Sequence, residues 1–271
     1  MCTLNKLLKP AAVAALLASG IIVHAQGFTE SFGNSAARVS NSYVGSGFGY
    51  KASGDVPDNH YTVMRPQNVV ASTTDSYWHD LATDHSGDAT GALMVLNAGT
   101  TLDDIYVRDF TMLPGHSYRV TGWRYVVNGA NGGGSSNSIF WSMQIRDPAT
   151  GSPIMDPATN RPLYDSGPLS SGNTRLTWVR STYEFTVAPN CSAVGRPIPA
   201  RLAITNQSAI GGGNDFYVDD ISVEDTTPAG SAEQACLKAV PATGIGGLGL
   251  LSLLGAIAGA LALHRRKDGA A

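Results

Sequence analysis

The chain has 271 residues, of which 14% are charged and 31 are glycine, and its formal net charge is −3. Without the targeting segments at its two ends, it keeps 13 basic and 20 acidic residues, a net charge of −7. An acidic domain lacks the basic surface that binds nucleic acid, so no nucleic-acid partner is expected.

The N-terminal segment, residues 1–25, has the pattern of a secretory signal peptide. Lys6 and Lys9 precede an apolar stretch over residues 11–23, and Ala25 ends a small-x-small cleavage site before Gln26. The alternative is an uncleaved anchor, but the apolar stretch is short for one. The sequence therefore predicts an exported protein that begins at Gln26 after processing.

Residues 26–225 are predicted to form one all-β domain. They read as short apolar or alternating runs separated by turn residues, with almost no helical periodicity. Many short strands without intervening helices predict an antiparallel β-sandwich or barrel. The predicted strands are Phe28–Phe32, Ala92–Asn97, Ile105–Phe110, Tyr118–Val127, Ile139–Arg146, Leu176–Val187, Ala200–Asn206 and Asp215–Glu224.

No catalytic motif stands out in this domain. The sequence contains no Gly-x-Ser-x-Gly elbow, no His-Glu-x-x-His and no P-loop. Glycoside hydrolysis needs a pair of carboxylates whose separation the fold sets, and the sequence nominates no such pair. The chain is therefore predicted not to be an enzyme.

Several segments follow one another along the chain in a characteristic order. They are Gly87-Asp88-Ala89-Thr90-Gly91, Leu113-Pro114-Gly115-His116-Ser117-Tyr118 and the closing Asn214-Asp215-Phe216-Tyr217-Val218-Asp219-Asp220-Ile221-Ser222. This order resembles the galactose-binding-like jelly rolls that act as carbohydrate-binding modules and recur in bacterial surface proteins. The resemblance covers about residues 28–225. It implies a jelly-roll antiparallel β-sandwich and a carbohydrate ligand.

The same resemblance implies one structural calcium ion (Ca2+). Its ligands would be an acidic residue on the first strand and an aspartate on the last, which here match Glu30 with Asp219 and Asp220. Calcium binds carboxylate and carbonyl oxygens, and two acids buried without a partner are costly. The alternative is that strand alternation leaves one aspartate in solvent and hydrogen bonds satisfy the other.

A second candidate site is the aromatic and polar run Tyr77-Trp78-His79-Asp80. Sugar sites combine an aromatic face with polar groups for the hydroxyls, and this run predicts such a platform. Packing in the core is the alternative for Trp78. The tryptophans of apolar strand runs, Trp123, Trp141 and Trp178, are predicted to be core residues.

Two of the three cysteines stay in the mature protein. Cys2 leaves with the signal peptide, whereas Cys191 and Cys236 remain. An even number of cysteines in an oxidising compartment predicts a disulfide between them. Two unpaired thiols are the alternative.

The C-terminal segment, residues 240–271, has three parts after a polar linker over residues 226–239. Val240-Pro241-Ala242-Thr243-Gly244 precedes an apolar run over residues 245–263, and a basic cluster over residues 264–267 follows. A bilayer core requires about 20 apolar residues in a helix, and basic residues favour the cytoplasmic side. The sequence therefore predicts a transmembrane helix at residues 245–263.

This layout resembles the C-terminal sorting signals of bacterial surface proteins. Sortases cleave Leu-Pro-x-Thr-Gly between threonine and glycine, which here correspond to Thr243 and Gly244. Val/Ile-Pro-Thr-Leu and Pro-Glu-Pro tails, processed by exosortase-like enzymes, are also similar. The resemblance implies such an enzyme as a partner and a location on the membrane or cell envelope. A plain transmembrane anchor is the alternative.

The leading hypothesis is an exported, surface-displayed, non-catalytic binding module for carbohydrate. One alternative is a structural or adhesive surface protein that contacts other proteins and binds no sugar. The third is a polysaccharide hydrolase.

Overall fold

The computed structural model describes residues 27–73, 78–127, 140–170, 176–190, 196–208 and 214–231. No helix in these ranges is long and apolar enough to cross a membrane. The predicted transmembrane helix at residues 245–263 lies outside them. So do the other positions of the targeting, processing and disulfide predictions, which are Ala25, Gln26, Cys191, Cys236, Val240, Pro241, Thr243 and Gly244.

The regular secondary structure of the described residues is almost entirely β-strand, with one 3-10 turn at Pro66–Asn68 and one short helix, α1, at Val69–Thr73. The strands are β1 (Phe28–Glu30), β2 (Gly49–Tyr50), β3 (His60–Met64), β4 (Leu93–Asn97), β5 (Asp104–Met112), β6 (Ser117–Val126), β7 (Phe140–Arg146), β8 (Met155–Asp156), β9 (Arg161–Pro162), β10 (Leu169–Ser170), β11 (Trp178–Thr186), β12 (Ile198–Asn206) and β13 (Asp215–Asp225). Each of the eight predicted strands corresponds to one of these. Strand β3 was not predicted, although four of its five residues are buried.

Two sheets face each other, which confirms the predicted all-β sandwich. One has seven strands in the order β11-β6-β13-β4-β3-β2, with β1 also paired to β13. The other has four strands in the order β10-β7-β12-β5, and β8 and β9 form a small separate hairpin. Except for the parallel pair β2–β3, the paired strands are antiparallel.

The main core lies between the two sheets and follows the period-two alternation of their strands. On β6, Tyr118, Val120 and Val126 point inward and join the core from the four-stranded sheet, including Trp141. Gly122 also faces inward, where a Cβ atom would lie 2.8 Å from Cε of Met143. Glycine at this position therefore lets the two sheets approach closely.

A second apolar cluster lies on the outer face of the seven-stranded sheet, the face that points away from the four-stranded sheet. The described residues of the connection between β3 and β4, 65–73 and 78–92, cross this face and are called the covering segment below. Its Val69 and Trp78 pack against Leu93, Val95 and Tyr217 of the sheet. The covering segment hides one part of the outer face and leaves the rest of it open.

Candidate functional site

An aromatic row crosses the covered part of the outer face. Trp178 of β11 meets Tyr125 of β6 edge to face at 5.5 Å between ring centroids. Tyr125 stacks on Tyr217 of β13 at 5.6 Å, and Tyr217 stacks on Trp78 at 5.9 Å. Each ring comes from a neighbouring element, so the row ties three strands to the covering segment.

The predicted platform around Trp78 is part of this packing. Trp78 is only 3% exposed, and its indole N–H donates to Asp55 at 3.3 Å. The backbone N–H of His79 donates to the hydroxyl of Tyr217, which donates in turn to the carbonyl of His79. Asp80 accepts a hydrogen bond from the N–H of Val70.

The structure thus gives Trp78 the packing role that was the alternative reading of the sequence. Because its ring is enclosed, it offers no face to a sugar. Tyr77, the first residue of the predicted platform, lies outside the described residues.

A second row, next to the first, is partly open to solvent and mixes aromatic and acidic groups. The imidazole of His85, from the covering segment, stacks on the indole of Trp123 with ring centroids 3.8 Å apart. It also meets Trp178 edge to face at 5.2 Å. Nδ1 of His85 lies 2.6 Å from a carboxylate oxygen of Asp220 on β13. Trp123, Trp178, His85 and Asp220 therefore form one constellation, called the Trp123 site below.

Asp219 lies beneath the Trp123 site and is fully buried. It accepts hydrogen bonds from the backbone N–H groups of His85 at 3.0 Å and Asp220 at 2.8 Å. Burial, and to a lesser extent the charge of Asp220, raises the pKa of Asp219 to about 8. The raised pKa favours the protonated form of this carboxyl group up to a higher pH than is usual for an aspartate.

A β-bulge explains how two consecutive aspartates both turn toward the covering segment. The register between β13 and β6 shifts between Asp219 and Ser222. Asp220 has a φ of 45°, a conformation that non-glycine residues seldom adopt outside turns and bulges. Without the bulge, regular alternation would send Asp219 and Asp220 to opposite faces of the sheet.

The predicted calcium ligands have other partners in the structure. Glu30 pairs with Arg108 at 3.3 Å and accepts a hydrogen bond from the N–H of Phe32. Asp219 and Asp220 are engaged by His85. No three His, Cys, Asp or Glu side chains come together as metal ligands in the part of the chain that the structure describes. Calcium at this place remains a prediction, and it requires Arg108 and His85 to give up their carboxylates.

The open part of the outer face continues from the Trp123 site as two polar rows. The hydroxyls of Thr121 and Thr182 are 3.1 Å apart. In the next row Arg119 binds Glu184 at 2.8 Å and lies 3.9 Å from Glu224. An aromatic surface bordered by hydroxyls and charged hydrogen-bonding groups is a combination that can hold a sugar ring and its hydroxyls.

The sequence did not nominate the residues that make this site. Trp123 and Trp178 were predicted to be core, yet both are only partly buried, whereas Trp141 is fully buried as predicted. The alternation of β6 did give one signal for Trp123. The inward-facing residues of this strand, such as Val120 and Gly122, are even-numbered, whereas Trp123 is odd-numbered and therefore points outward. His85 gave no signal, since it meets Asp220 across 135 positions of sequence.

No protein-family model and no curated protein sequence matches the chain. Among solved structures, a family-61 carbohydrate-binding module in complex with β-1,4-galactotriose is similar over 61% of this chain and 81% of that module, at 13% identity and a TM-score of 0.29. The adhesin domain of Lys-gingipain from Porphyromonas gingivalis W83 is similar over 74% and 99%, at 11% identity and a TM-score of 0.35.

A cyclase from Fischerella sp. TAU is similar over 73% of this chain and 84% of the cyclase, at 10% identity and a TM-score of 0.40. At these identities and TM-scores, the similarities assign the chain neither a family nor a function.

Proposed function

We propose that the chain is a non-catalytic carbohydrate-binding protein that uses the Trp123 site. The observation that carries this proposal is the indole of Trp123, which stays partly exposed although His85 stacks on it, beside the carboxylate of Asp220 and the hydroxyls of Thr121 and Thr182. An indole offers apolar surface to the C–H groups of a sugar ring, and the polar groups around it match the hydroxyls.

The two adjacent aspartates support binding rather than hydrolysis. A glycosidase of the usual kind needs two carboxyl groups that both reach the scissile bond. The raised pKa of Asp219 would suit a general acid, but Asp219 is fully buried and is covered by His85 and Asp220. It therefore has no access to a glycosidic oxygen.

Glycan binding by the full-length protein tests the function. Binding measured on an array should be lost in Trp123→Ala and largely kept in Trp123→Phe, which retains an aromatic face. Thr111→Ala, on the four-stranded sheet, is a control that leaves the Trp123 site intact. Binding by no glycan would favour the adhesive alternative, and turnover of a polysaccharide would contradict the non-catalytic role.

We further propose that the protein is exported and displayed on the cell envelope of a bacterium, with its C-terminal segment processed by a sortase- or exosortase-like enzyme. The signal-peptide pattern before Gln26 and the tripartite tail support this. The intact mass of protein from its native host should begin at Gln26 and end near Thr243. A mass that includes residues 1–25 would contradict export by this route.

A further inference from the structure

Strand β11 forms an open edge of the seven-stranded sheet. It runs for nine residues, Trp178–Thr186, and pairs with β6 along its whole length without a register shift. No other strand in the described part of the chain pairs with its second edge. Proteins usually protect such an edge with proline, a bulge, a very short strand or charged side chains. Strand β11 has no proline, no bulge and nine residues, and its charged residues, Arg180 and Glu184, have opposite signs.

The residues of β11 that are free to pair across this edge can be identified. The N–H of Val187 donates to the carbonyl of His116 at 2.9 Å, just beyond the last pair of β11 with β6. Since hydrogen-bonded and non-hydrogen-bonded pairs alternate in an antiparallel ladder, the even-numbered residues direct their N–H and C=O groups away from β6. Thr182 is the middle residue of this set.

We propose that β11 pairs antiparallel with β11 of a second copy of this chain, around a two-fold axis at Thr182. In this register Arg180 of each copy lies opposite Glu184 of the other, and Trp178 lies opposite Thr186. The strand is therefore self-complementary in charge, which is what a symmetric interface requires. Every residue in these pairs belongs to the set whose backbone groups point to the open edge.

In the monomer, the charged residues Arg180 and Glu184 can still form ion pairs with a second copy. Arg180 is exposed and lies over Trp123 at 5.8 Å, and it has no carboxylate partner among the described residues. Arg119 lies between two carboxylates, those of Glu184 and Glu224. The guanidinium of Arg180 from a second copy would supply the missing positive charge beside Glu184.

The paired strands would make one continuous sheet with a two-fold axis perpendicular to it. Both copies then present their outer faces on the same side, so two Trp123 sites would face one surface. Two sites on one rigid body raise the avidity for a repeating ligand without any new contact. The dimer itself is independent of which ligand the site binds.

A charge swap tests the interface in the full-length protein. The wild type should have the mass of a dimer at micromolar concentration, by sedimentation or light scattering. Arg180→Glu and Glu184→Arg should each give monomers, because each places like charges opposite one another twice. The double variant R180E/E184R should restore the dimer. Arg201→Glu on the other sheet is the control for charge change and should leave the mass unchanged.

A single introduced thiol tests the register. T182C should form a disulfide-linked dimer on oxidation, because position 182 faces itself across the axis at a Cα separation of about 5.5 Å. T186C faces Trp178 and should not cross-link above the wild-type level. A monomeric wild type, a double variant that stays monomeric, or equal cross-linking of T182C and T186C would each overturn the interface.

Discussion

The imidazole of His85 lies on the indole of Trp123, with the ring centroids 3.8 Å apart and the planes inclined by 26°. The same imidazole bonds to Asp220, so one side chain of the covering segment is held by both β6 and β13. These contacts close one end of the Trp123 site and hold the covering segment against the sheet at His85. The position of the segment in turn decides which aromatic rings are enclosed and which stay open.

Removal of the His85 imidazole should loosen the covering segment. The side chain contributes one hydrogen bond to a carboxylate and one aromatic stack and is 19% exposed, so His85→Ala should cost about 1–2 kcal/mol of unfolding free energy. His116→Ala is the matched control, because His116 also lies 2.7 Å from a carboxylate, that of Asp225, but its nearest ring is 6.5 Å away. Equal losses in urea unfolding would contradict a role for the Trp123 stack.

Two tryptophans of the outer face, Trp78 and Trp123, should separate effects on stability from effects on binding. Trp78 is 3% exposed, and truncation to alanine should cost about 3–5 kcal/mol. Trp123 is partly exposed, so Trp123→Ala should cost less than half as much while it removes the binding surface. Urea unfolding and glycan binding on the same preparations would measure both effects. A larger loss of stability in Trp123→Ala than in Trp78→Ala would contradict the assignment of the two rings.

The fold was largely predictable because local patterns determine strands and turns. Alternation identified long strands such as Tyr118–Val127, and the lack of helical periodicity identified the all-β class. The inner face of β6 shows where this logic ends. Arg124 points into the core and Trp123 points out, so an assignment by residue polarity alone places both on the wrong face.

The site was less predictable because long-range contacts and one backbone irregularity create it. Regular alternation would place Asp219 and Asp220 on opposite faces, but the bulge at Asp220 turns both toward His85. Nothing in the local sequence around residues 83–88 indicates that His85 will meet Trp123. The burial of Trp78 likewise depends on its contact with Tyr217, which is far away in sequence.

A buried arginine, Arg124, and a half-buried one, Arg108, should respond differently to removal of their charge. Arg124 is 1% exposed, and burial lowers its pKa to about 10. It donates one hydrogen bond to the carbonyl of Leu169 and lies over Trp141, but its Nε has no partner in the described chain. Arg124→Met should therefore change the unfolding free energy by less than about 1 kcal/mol or increase it. Arg108→Met leaves the carboxylate of Glu30 unpaired and should cost about 1–3 kcal/mol. Equal costs in urea unfolding would contradict this difference.

The predicted calcium ion can be tested by melting. Calcium held by Glu30, Asp219 and Asp220 would stabilise the native state by about 2.7 kcal/mol at a hundredfold excess over the dissociation constant. The melting temperature should then be several degrees higher with calcium than with chelator, and Asp220→Asn should remove the difference. Arg108→Met should enhance calcium binding, because it frees Glu30. Identical curves, with no metal by elemental analysis, would refute the site.

The raised pKa of Asp219 should make the protein less stable as the pH rises. Burial raises its pKa from 3.8 to about 8 in the folded protein. Between these values the folded state holds a proton that the unfolded state has lost, so stability falls with increasing pH, by up to about 1.4 kcal/mol per unit. The contribution is fully present below pH 3.8 and is lost as the pH passes through about 8.

Asp219→Asn removes the titrating group and should flatten this part of the profile, measured by urea unfolding at several pH values. Asp225→Asn is the control: hydrogen bonds from Thr227 and His116 lower the pKa of Asp225 despite its partial burial, so this variant should keep the fall between pH 4 and 8. A profile of Asp219→Asn that still falls as steeply as the wild type would show that Asp219 is ionised in the folded protein.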